Sequence, residues 1–341
     1  MEEYGKRLID DNISIYMQVA KAIHITGVEG CGKTSSALQY IADSAMKPEL
    51  VDEWQEEPQL WDNVKMECDS SSRRGRFILT SSREVDKDNA PLHSGIGRIV
   101  ELPMSTMTLW EKSVSTDLIS LEDMVNGMDV FSCSEELDEQ SLVELILTGG
   151  FPEDIGLSLE DIGKKALLRL ESYLDGCRLD LEDRECIDRL YSRRAVWLDN
   201  QDLVHFSDIS LLAAAKGQTV QSLLEDRFML EMLFREFVLH ELKAYMDYYR
   251  GDLYYFRDST TQEEVDAIVE FRDGEYGAIE IKLGPNQIDE AKESLMAFYE
   301  NVQRKPVFMC VIVGFYPAVI RDPETGIYIV PISALGVHRN H

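Results

Sequence analysis

One stretch of eight residues constrains this chain more than any other feature. Residues 27–34, GVEGCGKT, match G-x-x-x-x-G-K-S/T at every defined position and lie between a β-type run, AIHIT (22–26), and a helical stretch (33–46). In such a loop the glycines let backbone N–H groups converge on phosphate oxygens, and the helix N-terminus adds its positive end. The sequence therefore predicts a site for ATP and Mg²⁺. Its expected contacts are the loop glycines, a lysine at the outer phosphates and a threonine at Mg²⁺, namely Gly27, Gly30, Gly32, Lys33 and Thr34.

An acidic pair follows the next apolar run. Leu50-Val51-Asp52-Glu53 supplies two carboxylates, and a phosphate-loop enzyme needs acids to hold the metal and orient the attacking water. Asp52 suits Mg²⁺, and Glu53 suits the catalytic task of polarising water. The alternative is a solvated acidic face, because the chain has 63 acidic and 34 basic residues and a net charge of −29.

Two further residues are candidates for nucleotide contacts. The strand-like run RFILT (76–80) ends at Thr80, which we expect near the γ-phosphate or the attacking water; a simple polar strand end is the alternative. Arg98 follows the glycine-rich turn at 94–97 and is a candidate contact to a phosphate of its own subunit or of a neighbouring one. The second option implies a homo-oligomer, and a plain ion pair with an acid is the alternative.

Composition narrows the class of protein. A length of 341 residues predicts two domains, and six cysteines without C-x-x-C spacing, together with an N-terminus that lacks signal-peptide features, predict a cytoplasmic protein with reduced thiols. The longest apolar runs are strand-sized, so no membrane partner is expected. A surface this negative repels phosphate backbones, which disfavours nonspecific DNA binding and leaves nucleic acid a weakly supported partner.

The order of patterns predicts an α/β fold with two differently built halves. Short strands in the first half indicate a mainly parallel sheet, and the acidic segment 116–139 is expected to form a helix and loops on its surface. Helical patterns cover 161–194 and 223–249, and strand-like runs follow Gly251. The predicted domains are a phosphate-loop module (1–150), a helical connector (151–204) and an α+β domain (205–341).

A second constellation lies on two strand-like runs of the last domain. Asp266 in EVDAIVEF and Glu280 in GAIEIKLG are separated by 13 residues (267–279), and Glu280 shares a strand face with Lys282. Two carboxylates with a lysine are the minimum set of a metal-dependent phosphodiesterase, in which these residues would be catalytic and the carboxylates would hold the metal. Glu236 or Glu241 on an upstream helix could complete the metal site. The alternative is an ion-pair network without activity.

Several of these segments resemble a known family. GVEGCGKT, LVDEWQEEPQLWD, RFILTSS, HSGIGRI and GGFPED are similar to successive signatures of a prokaryotic AAA+ ATPase family. In that family the module is followed by a winged helix and by a domain of unknown function with a restriction-endonuclease-like fold. The resemblance implies ATP binding at 32–34, a Walker B pair at 52–53 and a sensor near Thr80, and the last domain resembles the PD-(D/E)-x-K pattern.

The chain also departs from that family in length. Only 17 residues (35–51) separate the phosphate loop from Asp52, which leaves no room for the strand and helix that the family usually places there. Ser81 replaces a usual glycine, and the 51 residues from 154 to 204 are too few for a complete winged helix. Three functions remain open: an ATPase or ATP-controlled switch acting on a macromolecule, an ATP-regulated metal-dependent nuclease, and a scaffold that does not hydrolyse ATP.

Overall fold

The computed structural model describes residues 4–85, 95–134, 137–258 and 263–338. These residues contain eleven α-helices: α1 (Ile9–Val19), α2 (Lys33–Asp43), α3 (Gln59–Ser70), α4 (Leu121–Val125), α5 (Glu139–Thr148), α6 (Leu159–Leu174), α7 (Arg184–Ser192), α8 (Ile209–Ala215), α9 (Val220–Glu225), α10 (Arg227–Tyr249) and α11 (Ile288–Asn301).

The same residues contain fifteen β-strands: β1 (Ala22–Thr26), β2 (Glu49–Val51), β3 (Phe77–Ser81), β4 (Ile99–Pro103), β5 (Ile119–Ser120), β6 (Phe131–Cys133), β7 (Val196–Leu198), β8 (Val204–Phe206), β9 (Asp252–Arg257), β10 (Glu264–Glu270), β11 (Tyr276–Lys282), β12 (Phe308–Val313), β13 (Ala318–Arg321), β14 (Tyr328–Pro331) and β15 (Leu335–Gly336).

The chain divides into two compact units that are not continuous in sequence. The first unit comprises residues 1–107, 151–155 and 171–197, and the second comprises 108–150, 156–170 and 198–341. The sequence predicted boundaries near 150 and 205, whereas the first division falls at residue 107. The reason is strand pairing, since β5 pairs with β15 and β6 pairs with β13 inside the second unit.

The first unit is built on a sheet of four parallel strands in the order β2-β3-β1-β4. This confirms the predicted parallel sheet and the mixed α/β class. All five residues of the central strand β1 are buried, as expected for an apolar strand covered on both faces. Because the strands are parallel, the carboxyl ends of β1, β2 and β3 lie at one edge, where loops 27–32, 52–53 and 82–84 begin.

The second unit contains a mixed sheet of seven strands in the order β6-β13-β14-β12-β11-β10-β9. Strands β11, β12 and β14 are parallel, and the other pairs are antiparallel. The predicted helix within 116–139 is wrong for most of that segment. Among the described residues of that segment, α4 and the first residue of α5 are helical. Strands β5 and β6 instead pair with strands of the second unit, because the helical periodicity of their residues is weak.

A tight hairpin aligns the strands that carry the C-terminal constellation. Gly274 has φ +85° in the turn between β10 and β11, where the Phe271 N–H donates to the Glu275 carbonyl at 2.8 Å. The antiparallel register pairs Ala267 with Ile279, which places Asp266 beside the next residue of β11. The local turn thus decides which side chains meet.

None of the described helices combines the length and the apolar composition required to cross a membrane.

Helix α11 provides a test of the core of the second unit. Leu295 is 0% exposed and packs in a cluster with residues of β10, β11, β12 and β14. We expect Leu295→Ala to lower the free energy of unfolding by about 2–5 kcal/mol, since the truncated side chain leaves a cavity. Urea denaturation measures this, with Leu168→Ala on α6, 63% exposed, as a control expected to stay within about 0.5 kcal/mol. Equal losses of unfolding free energy in the two variants would contradict the buried packing of Leu295.

Candidate functional site

The loop after β1 has the backbone shape that its glycines permit. Gly30 and Gly32 have φ +82° and +107°, which non-glycine residues rarely adopt, and Gly32 is the N-cap of α2. A Cβ on Gly27 would lie 2.2 Å from the Met104 carbonyl oxygen. The close approach of backbone to backbone therefore requires glycine at Gly27, and the whole loop precedes a helix N-terminus that favours anions.

Lys33 lies inside this loop rather than on the surface. Its side chain is 3% exposed, and its ammonium donates to the carbonyl oxygens of Gly27 and Val28, both at 3.1 Å. The carboxylate of Glu53 is 3.8 Å away. A buried ammonium held by backbone oxygens fits an anion site, because a phosphate group can take over these contacts.

The carboxylate of Asp52 joins three segments of the first unit. Its Oδ1 accepts hydrogen bonds from the hydroxyls of Thr34, at 2.8 Å, and Thr80, at 2.7 Å. Thr80 also accepts a bond from the Glu53 N–H at 2.8 Å and is fully buried. In the structure the Thr80 hydroxyl therefore holds the Asp52 carboxylate in place. The sequence analysis predicted instead that Thr80 lies near the γ-phosphate or the attacking water. Hydroxyl and carboxylate oxygens side by side are ligands that suit Mg²⁺.

The neighbouring carboxylate, that of Glu53, is also held in place. Oε2 of Glu53 accepts from the Ser82 backbone N–H at 3.1 Å, from the Ser82 hydroxyl at 2.6 Å and from the Gln55 side-chain amide. Glu53 itself has φ +47°, an uncommon backbone conformation for a residue with a side chain. The catalytic role of Glu53 stays a prediction, and the hydrogen bonds from Ser82 and Gln55 show that its carboxylate is held in one position.

Under these loops lies a buried histidine that the sequence analysis did not single out. His24 in β1 has Nε2 2.9 Å from the Trp54 indole nitrogen, which donates, and 2.8 Å from the Ser81 hydroxyl. Burial lowers the pKa of His24 to about 3, and the charges of Arg194 and Lys33 add to the effect. The ring is therefore neutral near pH 7. The sequence feature that could have indicated this site is a histidine within a mostly apolar strand.

The N-terminal segment contributes a second residue that was not anticipated. Arg7 is 4% exposed and donates to the carbonyl oxygens of Cys31, at 2.6 Å, and Ser105, at 2.8 Å. A Cβ on Gly32 would lie 2.8 Å from its guanidinium. Arg7 therefore braces the phosphate loop from outside the motif, where no local pattern marks it.

Arg98 lies at the amino ends of the parallel strands, whereas the phosphate loop lies at their carboxyl ends. Its carbonyl accepts from the N–H of Ala22, the first residue of β1, whereas the phosphate loop follows the last residue of that strand. Its Nε donates to the Asp69 carboxylate at 2.7 Å. The predicted contact with a phosphate of its own subunit is thus wrong, because the turn before Arg98 belongs to the amino ends of the strands. His93 and Ser94 of the HSGIGRI segment lie outside the described residues.

In the second unit the predicted constellation does converge. The Lys282 ammonium is 2.7 Å from Oε2 of Glu280 and 3.8 Å from Oδ2 of Asp266. Oε1 of Glu280 accepts from the Ser294 hydroxyl at 3.1 Å. Burial raises the pKa of Glu280, and the nearby charge of Asp266 raises it further. The expectation that adjacent antiparallel strands bring these side chains together is confirmed.

The helix α10 supplies different partners from those expected. Glu236 lies beside the His205 ring, with Oε2 2.9 Å from Nδ1, and Arg235 donates to Oδ1 of Asp266 at 2.8 Å. Glu241 is buried elsewhere, accepts from the Leu109 N–H, and has its pKa raised to about 8 by burial. Glu241 therefore cannot complete a site with the other carboxylates.

A divalent metal does not fit the cluster as it stands. Oδ1 of Asp266 accepts from Arg235 and Oδ2 accepts from the Ile281 N–H at 2.9 Å, while both oxygens of Glu280 are bonded to Ser294 and Lys282. Across the described ranges, no group of three or more His, Cys, Asp or Glu side chains is arranged to hold a metal ion. The fold brings the predicted residues together and then satisfies them with protein partners.

Part of the second unit matches the model of a known protein family. Residues 230–335, which include α10 and the strands of the second constellation, match the model of a domain of unknown function, DUF4143, a family associated with AAA-type ATPases. The match covers 106 of 341 residues (335 − 230 + 1 = 106). No curated protein matches the chain.

The titration of His24 gives a test of the first site. The unfolded histidine takes up a proton near pH 6.5, whereas the folded ring stays neutral down to about pH 3. The unfolded state therefore binds more protons between these values, and stability falls as the pH is lowered.

We expect the wild type to lose about 2 kcal/mol more than His24→Gln between pH 7 and pH 5. Glutamine retains an oxygen that can accept from the Trp54 indole but does not titrate. Urea denaturation at the two pH values, followed by tryptophan fluorescence, measures the difference. Parallel losses in both proteins would contradict a neutral buried ring.

Proposed function

We propose that this chain binds ATP with Mg²⁺ at the phosphate loop and acts as an ATPase or ATP-controlled switch of the AAA+ kind on a macromolecule. The observation that carries the proposal is the shared oxygen of Asp52, which accepts from both Thr34 and Thr80 beside a complete phosphate loop. Loop N–H groups and Lys33 would hold the phosphates, and Thr34 and Asp52 would hold Mg²⁺. Bound Mg²⁺ supplies charge neutralisation at the phosphate oxygens.

Turnover requires a group that orients and deprotonates water, and we assign this role to Glu53. Its carboxylate is fixed by Ser82 and Gln55 and lies 3.8 Å from the ammonium of Lys33. A positioned carboxylate of this kind acts as a general base in phosphoryl transfer. The association of the matched C-terminal family with AAA-type ATPases supports the same assignment.

Lys33 tests nucleotide binding. We expect Lys33→Ala to abolish measurable binding of ATP with Mg²⁺ in isothermal titration, because the other loop residues carry no positive charge. The matched control is Lys47→Ala, since Lys47 lies in the segment just after α2 and its ammonium donates to the carbonyls of Ile41 and Ala42. Undiminished affinity in Lys33→Ala would refute the site.

Glu53 tests turnover separately from binding. We expect Glu53→Gln to bind ATP and to release phosphate about 10²- to 10⁴-fold more slowly, because the amide keeps the shape but loses the basicity of the carboxylate. Glu56→Gln is the control, as Glu56 pairs with Arg83 at the surface. A phosphate-release assay on the wild type and on both variants measures the rates of ATP hydrolysis. Equal rates in active proteins would remove Glu53 from the mechanism.

A metal-dependent nuclease is the second candidate function, favoured by the convergence of Asp266, Glu280 and Lys282. Incubation of DNA with the wild type and Lys282→Ala, in Mg²⁺ or Mn²⁺, tests it. Cleavage lost in the variant supports the nuclease, and ATP hydrolysis without cleavage supports the ATPase or switch. A folded protein with neither activity would be a scaffold.

A further inference from the structure

One arginine lies between two carboxylates that the sequence predicted as metal ligands. The guanidinium of Arg235 donates through Nε to Oδ1 of Asp266 at 2.8 Å, and its Nη1 is 3.9 Å from Oε1 of Glu236. It also lies over the Tyr255 ring, 5.5 Å from the centroid. The side chain is 29% exposed, so these contacts are made in a partly desolvated place.

This guanidinium is one of two permanent cations that face three carboxylates, so the formal charge of the cluster is −1 with it and would be −2 without it. Glu236, Asp266 and Glu280 supply three carboxylates; Lys282 neutralises Glu280 at 2.7 Å, and Arg235 neutralises Asp266. A guanidinium stays protonated at all physiological pH values. Burial lowers the pKa of Arg235, but the charge and hydrogen bond of Asp266, together with the charges of Glu236 and Tyr255, outweigh burial, and the pKa is raised. A change of pH therefore cannot remove this charge, and only displacement of the side chain can.

We propose that the guanidinium of Arg235 takes the place of a metal ion in this cluster and keeps divalent metal ions away from Asp266 and Glu236. The guanidinium occupies Oδ1 of Asp266 and faces Oε1 of Glu236, and a metal bound to these oxygens would meet a positive charge a few ångströms away. Metal-dependent chemistry at this cluster requires a state in which Arg235 leaves Asp266. The proposal does not depend on ATP binding, because all of its residues lie in the second unit.

The experiment measures Mn²⁺ binding to the full-length protein without nucleotide, by electron paramagnetic resonance of free Mn²⁺ and by thermal denaturation. The test variant is Arg235→Met, which keeps an apolar stem against Tyr255 and removes the charge. Arg235→Lys keeps a charge at the same place. Arg257→Met removes a charge that pairs with Glu264 at the surface of the same unit, and so controls for net charge.

We expect Arg235→Met to bind Mn²⁺ roughly tenfold or more tightly than the wild type, Arg235→Lys and Arg257→Met, because a unit charge within a few ångströms opposes a divalent ion strongly. Mn²⁺ should raise its melting temperature by more than it raises the melting temperatures of the other three proteins. Adding Glu236→Gln to Arg235→Met should weaken the gained binding. The phosphate loop is the same in all variants and cannot produce the difference.

Two results overturn the proposal. One is Mn²⁺ binding by Arg235→Met that is no tighter than binding by Arg257→Met; the other is equally tight binding by the wild type. If the unpaired carboxylates destabilise Arg235→Met, Mn²⁺ should restore its melting temperature, and a variant that stays unfolded in Mn²⁺ also contradicts the proposal. A separate titration in which the wild type does not bind ATP would refute the proposed function and leave this inference intact.

Discussion

A single carboxylate oxygen connects the parts of the first site. Oδ1 of Asp52 accepts two threonine hydroxyls, one from the start of α2 and one from the end of β3, and Asp52 itself follows β2. Three segments that are distant in sequence are thereby held within hydrogen-bond distance. Because β2 pairs directly with β3, the short connection of 17 residues still delivers the acid to the carboxyl edge of the sheet. The compact sheet is therefore compatible with a complete set of phosphate-site groups.

Both clusters use carboxylates carried by strands or by the residues just after a strand, but the groups that pair with these carboxylates differ. At Asp52 the two hydrogen-bond donors to Oδ1 are neutral hydroxyls, which leave the negative charge available to a hard cation. At Asp266 one partner is a guanidinium, which cancels the charge. The same residue type therefore has neutral hydrogen-bond partners in one unit and a cationic partner in the other.

Sequence patterns predicted what depends on local or regular features. The phosphate loop, β1 and the meeting of Asp266 with Glu280 follow from a motif, an apolar run and an antiparallel hairpin. Strand β6 was not predicted, because its pairing partner, β13, is far away in the chain. Strand β13 was not predicted either, although it also pairs with the nearby β14. The predicted contact of Arg98 with a phosphate of its own subunit was wrong, since a glycine-rich turn does not reveal at which end of the strands it lies. Arg235 resembled an ordinary charged residue beside Glu236, and only the fold shows what it contacts.

The discontinuous build of the second unit also governs the order in which it can fold during synthesis. Strand β6 emerges from the ribosome early, but its only paired neighbour in the sheet, β13, is made after residues 134–317. Strand β5 likewise waits for β15. Until those partners appear, the edges of β5 and β6 remain open to pairing with other chains. The nascent chain therefore carries unpaired strands through most of its translation, a period in which a chaperone would find them accessible.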